Sequence, residues 1–522
     1  VPEVSFTIRW PDGAVQRCTS PSRAITQELV AGGRYTVDEL LRRSRAGLER
    51  ASERVRERYG FACTAAAAQI GEVQRAGSSY RGDAIATVEH MRVAPPIRRF
   101  PAPERIDGRF EVVVVGGGQA GLAVSWELTC RGVGHVVLER DRIARAWREE
   151  RWDAFCLVTP NWQCRLPGHP YAGDDPDGFM LRDEIVEYVE SYADRFAPPV
   201  WEGVEVTRLS PRQGGGFRVL TTRGELLADG VVLAVGAYHR PTLPRQAERL
   251  PRHVTSLHSS AYRNPSSLPN GAVLVVGSGQ SGAQIAEDLH LAGREVHLSV
   301  GTAPRVARFY RGRDCVAWLD DIGHYRMPID EHPQGVAARR EANHYVTGRG
   351  GGRDIDLRAF ARDGMVLHGR LLDVDGPSLS FSADLRANLD AADATAERIK
   401  DTIDRHIEAR GIDAPVERRY VPAWQPPDDG STPVDLAAAE IRTVIWATGF
   451  ATDWSWVDLA LFDGTGYPEH VRGVTTVDGV CVVGLPWLYT WGSGRFAGIA
   501  QDAAHVAEHL ALRAARLAST AA

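Results

Sequence analysis

The feature that most constrains this chain is a glycine turn that occurs twice, about 160 residues apart. The first copy reads FEVVVVGGGQAGLAVSWELTCRGVGHVVLER. An apolar run, Phe110–Val115, enters Gly116-Gly117-Gly118-Gln119-Ala120-Gly121, and a helical pattern and a second apolar strand ending at Glu139 follow. A segment apolar at successive positions suits a strand covered on both faces, as in a parallel sheet. In such a strand–helix–strand unit Gly116 permits the tight turn, Gly118 lets the backbone approach a pyrophosphate, and Gly121 lets helix and strand pack closely. The helix that Gln119 and Ala120 open offers free N–H groups and a positive dipole end to phosphate. Glu139, followed by Arg140, is placed to accept hydrogen bonds from a ribose diol.

The second copy, AVLVVGSGQSGAQIAEDLHLAGREVHLSV, repeats the turn with Gly277, Ser278, Gly279, Gln280, Ser281 and Gly282. Aligned without gaps, the position of Glu139 falls on Val300. No carboxylate follows before Asp314, whereas Arg305, Arg308, Arg311 and Arg313 do. A carboxylate repels a ribose 2′-phosphate and an arginine pairs with it. The acid-bearing copy therefore suits FAD and the arginine-followed copy NADPH, unless those arginines form a solvated face. The fold class is α/β, with two Rossmann-like dinucleotide-binding domains and a small N-terminal α+β module.

The remainder of the chain bounds this reading. A length of 522 residues accommodates three or four domains, and a net charge of -6 gives no reason to expect nucleic acid. Seven cysteines are scattered, none as CxxC, so neither a zinc ribbon nor a redox dithiol is indicated. His258, His344 and His505 lack metal-ligand spacing, and no metal is expected. No apolar run approaches the ~20 residues needed to span a bilayer, and the N-terminus lacks a secretory pattern. A cytoplasmic protein without membrane contact is expected.

At the N-terminus, residues 4–10 alternate as a strand, Pro11-Asp12-Gly13 is a turn, and AVQRCTS returns as a second strand. Thr36 and Glu39 form a capping box ahead of an apolar-periodic helix, and a second helix is expected over 65–75. These readings divide the chain into a module at 1–75, a Pro/Arg-rich linker at 76–109, a first FAD segment at 110–265, an NADPH domain with a substrate-covering insertion at 266–440, and a returning FAD segment at 441–522. Within the insertion, GRGGGR at 348–353 either binds an anion through backbone N–H groups or is a mobile loop.

Over 110–510 the chain resembles the flavin-containing monooxygenase-like flavoproteins. Beyond the glycines, the resemblance rests on VVLAVGAYHRPTLP, on IWATGF at 445–450, and on VCVVGLPWLYTWGSGRFAGIAQDAAHVAEHL with Gly484. The family pattern F-x-G-x-x-x-H-S-x-x-Y-R is half present: His258, Ser259, Tyr262 and Arg263 match, while Arg252 and Val254 replace Phe and Gly. That marks a divergent branch, similar to bacterial flavoproteins in Trp147-Arg148, Trp152-Asp153 and LVTPNWQCRLPG. The resemblance implies that Trp147 packs beside the flavin with Arg148 adjacent, and that Asn161 sits over it as a catalytic residue. It further implies hydride transfer from NADPH, O2 addition at flavin C4a, and transfer of one oxygen from the (hydro)peroxide to a small nitrogen- or sulfur-containing substrate. An oxidase or reductase without oxygen insertion, or a redox-sensing flavoprotein, is the alternative.

Residues 1–75 resemble nitrogen-starvation response proteins through PEVSFTIRWPDG, RCTSPS, YTVDEL and ERYGFAC. The fusion implies a shared setting, in nitrile or cyanide nitrogen assimilation, and a module that can recruit a partner protein. Cys18 and Cys63 are either near neighbours or plain buried thiols.

Overall fold

The computed structural model describes residues 4–20, 23–59, 64–93 and 100–521, which separate into two units, one ending at Arg99 and the other beginning at Phe100. Cys63 lies outside the described residues, so its relation to Cys18 is not addressed.

In the N-terminal unit four antiparallel strands run in the order Val15–Ser20, Val4–Arg9, Ile85–Val93, Arg34–Thr36, with helices Val37–Tyr59 and Thr64–Gly77. Phe6, Ile8, Leu40, Leu48, Val73 and Val88 make its core. The turn after the first strand has Gly13 at φ +89° and the Asp12 carboxylate accepting from the Ala14 N–H at 2.9 Å. The Thr36 hydroxyl accepts from the Glu39 N–H at 3.2 Å, while the Glu39 carboxylate binds Arg43. One expectation is corrected. Residues 85–93, read as linker, are a strand hydrogen-bonded on both sides, to Val4–Arg9 and to Arg34–Thr36. Ala86 and Val88 alternate inward within it, a period too short to stand out beside the prolines that follow at 95 and 96.

The larger unit holds two sheets. The first has a parallel centre, Val200–Glu202, His135–Glu139, Arg109–Val115, Gly224–Leu233 and Val480–Val482, with antiparallel strands at its margins. Val112, Val113 and Val114 are no more than 2% exposed, because helix Gln119–Cys130 and the C-terminal helix Ile499–Ala521 contribute to the core on one face and the meander strands to that on the other. Each buried valine contributes about 1.5–3 kcal/mol. The second sheet is parallel throughout, in the order Thr255–His258, Ile441–Trp446, Ala272–Val276, Val296–Ser299, Val366–His368.

The chain passes between the sheets twice, and the two passages lie side by side. Arg240–Pro241 pairs antiparallel with Phe450–Ala451, and the Thr242 N–H donates to the Gly449 carbonyl at 3.0 Å. The first passage therefore comes some twenty residues before the expected boundary at 265, since Thr255–His258 already belongs to the second sheet. A four-residue strand, TSLH, is held by its parallel partner Ile441–Trp446, far away in sequence, and has no strong local pattern.

Candidate functional site

Both glycine turns have one backbone geometry. Gly116 and Gly277 sit at φ +107° and +102°, where a side chain is strained. A Cβ on Gly121 would lie 1.9 Å from the Gly116 carbonyl oxygen, and one on Gly282 would lie 1.8 Å from that of Gly277. Gly118 and Gly279 have no atom within 4 Å of a would-be Cβ, so each helix N-terminus opens onto free space. These are cradles that fit a pyrophosphate: donors without a side-chain cap, facing a void.

The two voids are one. A cavity of about 1130 Å³ is lined by Gly116, Gly118, Gln119 and Ala120 of the first turn and by Gly279, Gln280 and Ser281 of the second. That volume lies just above the ~300–1,000 Å³ typical of a pocket for one small ligand. The amide of Gln119 donates to the Gly494 carbonyl at 3.2 Å, and that of Gln280 to the Val346 carbonyl at 2.7 Å. In this way each turn is tied to a segment that closes the cavity. Gly484, at φ +78°, admits the last strand beside Ala120, whose Cβ a side chain there would meet at 2.7 Å.

Glu139 lines the cavity beneath the first turn. Its carboxylate accepts from the Gly117 N–H at 2.7 Å and the Asp141 N–H at 2.9 Å. Burial pushes its pKa up, and those two N–H bonds oppose the rise. Arg140, Trp147 and Ser259 share the wall. Trp147 stacks on Phe496 with ring centres 5.8 Å apart and forms part of the apolar floor.

Other expected residues lie elsewhere. Asn161 is 3% exposed: its amide donates to the Asp175 carbonyl at 2.9 Å and its oxygen accepts from the Met180 N–H at 2.7 Å. It pins the loop before helix Arg182–Phe196 and does not line the cavity; Val158 and Thr159 do. Arg148 turns to Glu190 at 2.6 Å. His258 accepts from the Ser260 N–H at Nδ1, so its Nε2–H donates to the Gly449 carbonyl at 2.9 Å. It is a neutral clamp at the chain crossing, and burial lowers its pKa. Tyr262 donates to Asp288 at 2.7 Å, so the half-present pattern holds helix Gln280–Leu291.

The arginines after the second turn also point away. Arg305 is 3% exposed, bonded to Asp393 at 2.6 Å and stacked on Tyr420. Arg308 is buried against Asp314, Arg311 faces Asp404 and Arg313 faces Asp321. In the GRGGGR segment both arginine side chains are engaged within the fold. Arg349 bonds Asp288 at 2.6 Å and Arg353 bonds Glu287 at 3.0 Å, so it is a clamp on helix Gln280–Leu291. Arg398, with Thr395 and Thr402, lines the cavity from helix Leu385–Arg410, whose Leu385, Leu389 and Ala392 pack against the second sheet. No motif marked it; only its place on a long amphipathic helix did.

Among the described residues no group of His, Cys, Asp and Glu could hold a metal, no helix is long and apolar enough to cross a membrane, and six cysteines are free thiols.

Residues 5–93 match the family model of the nitrogen starvation-induced protein NitG, and residues 113–319 that of the pyridine nucleotide-disulphide oxidoreductases. An uncharacterized CzcO-like oxidoreductase from Geobacillus kaustophilus is 31% identical over 403 residues, 76% of this chain and 97% of that protein. A probable indole-3-pyruvate monooxygenase, YUCCA4 of Arabidopsis thaliana, is 34% identical over 179 residues, 34% of this chain and 43% of its own. The structure of a flavin-containing monooxygenase from Stenotrophomonas maltophilia superposes with a TM-score of 0.54 at 21% identity, covering 78% of this chain and 99% of that one.

Proposed function

We propose, from the premise that this chain belongs to the CzcO-like, flavin monooxygenase-like oxidoreductases, that it uses FAD and NADPH to place one atom of O2 on a small nitrogen- or sulfur-containing substrate. The observation that carries the proposal is the single cavity touching both glycine turns. Two dinucleotides held at those turns would extend into one shared cavity. The partial match to a probable indole-3-pyruvate monooxygenase supports oxygen transfer, and the NitG match supports a setting in nitrogen metabolism.

When bound, FAD accepts hydride from NADPH and activates O2; the protein orients both nucleotides and keeps water out. The first turn with Gly116, Gly118, Gln119, Ala120 and Gly121 receives the FAD pyrophosphate, and Glu139 receives the ribose while already held by two N–H groups. Gly277, Ser278, Gly279, Gln280, Ser281 and Gly282 receive that of NADPH, and Arg398 replaces Arg305 as the partner of its 2′-phosphate. Trp147 and Phe496 shield the interior from water.

The test is spectroscopic. Purified protein is expected to be yellow and to bleach on anaerobic NADPH, with NADPH and O2 consumed one for one and little H2O2 released when substrate is present. Stoichiometric H2O2 across every nitrogen and sulfur compound tried would establish an oxidase instead.

A further inference from the structure

The arginines on the cavity wall fall into two groups. Arg140, Arg142, Arg145 and Arg240 have carboxylates at 3.2, 3.5, 2.9 and 3.4 Å. Arg151, Arg398 and Arg495 have none among the described residues. A guanidinium turned toward a partly dry cavity without a counter-charge is costly unless an anion joins it. Arg398, the exposed one, is the proposed partner of the NADPH 2′-phosphate. Arg151 lies over the rings of Trp147 and Phe155 at 5.3 and 5.7 Å, on the segment leading from the first nucleotide strand.

Arg495 is differently placed. It follows Gly494, whose carbonyl receives the Gln119 amide, and its guanidinium lies 3.7 Å above the Trp491 ring. One arm reaches the Trp491 carbonyl, and the other donates to Asn343 Oδ1 at 2.7 Å. Asn343 belongs to the segment before Val346, which the second turn holds. Arg495 thus bridges the segments closing the cavity from its two ends. Around it stand Trp491 and Tyr325, with ring centres 4.5 Å apart, and the cavity-lining His324 and His344. Burial takes His324 down to about 4 and lowers His344, so both are neutral at pH 7. Burial also lowers Arg495 itself, the direction given by a cation that lacks a nearby carboxylate.

Resting on the flavoenzyme reading above, we propose that the substrate carries a carboxylate on an apolar body, and that Arg495, held in place by Asn343 and Trp491, receives that carboxylate. The planar fork matches a carboxylate with two parallel N–H bonds, and the Trp491–Tyr325 wall accepts the apolar part. The nucleotides bring their phosphates to helix N-termini of their own, so the substrate supplies the missing charge here.

Benzoate, benzamide and NADP+ are titrated separately into the oxidised FAD-bound protein at fixed ionic strength, with flavin difference spectra as readout. Benzoate is expected to perturb the flavin and benzamide not to. R495Q should weaken benzoate at least ~10-fold and leave NADP+ within about twofold. R495K, which keeps the charge and loses the fork, should fall between. Equal responses to benzoate and benzamide, silence from both, or a parallel loss of NADP+ in R495Q would overturn the proposal. So would loss of FAD from R495Q, unless R495K retains FAD and shows the benzoate defect. If the unaltered protein holds no flavin, the flavoenzyme reading fails instead.

Discussion

The two glycine turns are nearly superposable in backbone terms, and they differ in what the following strand brings to them. In the first, Glu139 sits under the turn and holds the Gly117 N–H. In the second, the aligned position is the buried Val300, and the Ser278 hydroxyl closes the turn by accepting from the Gly301 N–H at 2.9 Å. One cradle thus has a carboxylate beneath it and the other has none. The pyrophosphate site is a property of the backbone, while nucleotide choice is a property of one side chain. The halves also treat buried acids differently. Glu287 and Asp288 on helix Gln280–Leu291 are each paired with an arginine, whereas Asp502, on helix Ile499–Ala521, is buried without an ion-pair partner among the described residues.

The comparison breaks most visibly at the glycines that touch a carbonyl. Gly121→Ala should give colourless protein, and Gly282→Ala yellow protein reduced by NADPH at least ~100-fold more slowly, because overpacking at 1.8–1.9 Å costs about 3 kcal/mol. If both variants lost flavin alike, the assignment of one nucleotide per turn would be wrong. Next in size is Asp502→Asn. Burial raises Asp502 from 3.8 to about 6, so the folded form binds its proton more tightly than the unfolded chain. Stability on this account is full below pH 3.8 and is lost as pH rises to 6, about 3 kcal/mol in all. The asparagine variant should therefore be more stable at pH 7–8, by about 2–3 kcal/mol in urea melts, and gain little near pH 4.

Glu139→Ala removes the acceptor of two buried N–H groups and the ribose partner, and should weaken FAD by about 2 kcal/mol, roughly 30-fold, measured by fluorescence titration of the apoprotein. The smallest effect is expected at the uncharged turn. Arg398→Ala should raise the KM for NADPH about tenfold and leave that for NADH nearly unchanged, whereas Arg305→Ala should lower stability without shifting the NADPH-to-NADH ratio. A ratio that follows Arg305 instead would restore the simpler reading of the chain.

Legibility followed the range of the forces involved. The turn residues, from Gly116 to Gly121 and from Gly277 to Gly282, were readable because a positive φ and a close carbonyl act within a few residues. The resemblance implies that Asn161 sits over the flavin, yet its amide is spent on Asp175 and Met180, partners brought near by a loop that no local pattern predicts. The strand at 85–93 was missed because its evidence is the two strands beside it.

From its sequence alone, this chain is determined to carry two phosphate-cradling βαβ units, an acid after the first and none after the second, because glycine geometry and strand hydrophobicity are local demands. Only the tertiary structure decided which cations face the shared cavity. Arg305, Arg349 and Arg353 look as available in the sequence as Arg398 and Arg495, but the first three meet Asp393, Asp288 and Glu287 across the fold. Whether an arginine is neutralised or left open to a ligand depends on which carboxylate folding brings within about 4 Å, and that is set by packing between distant segments.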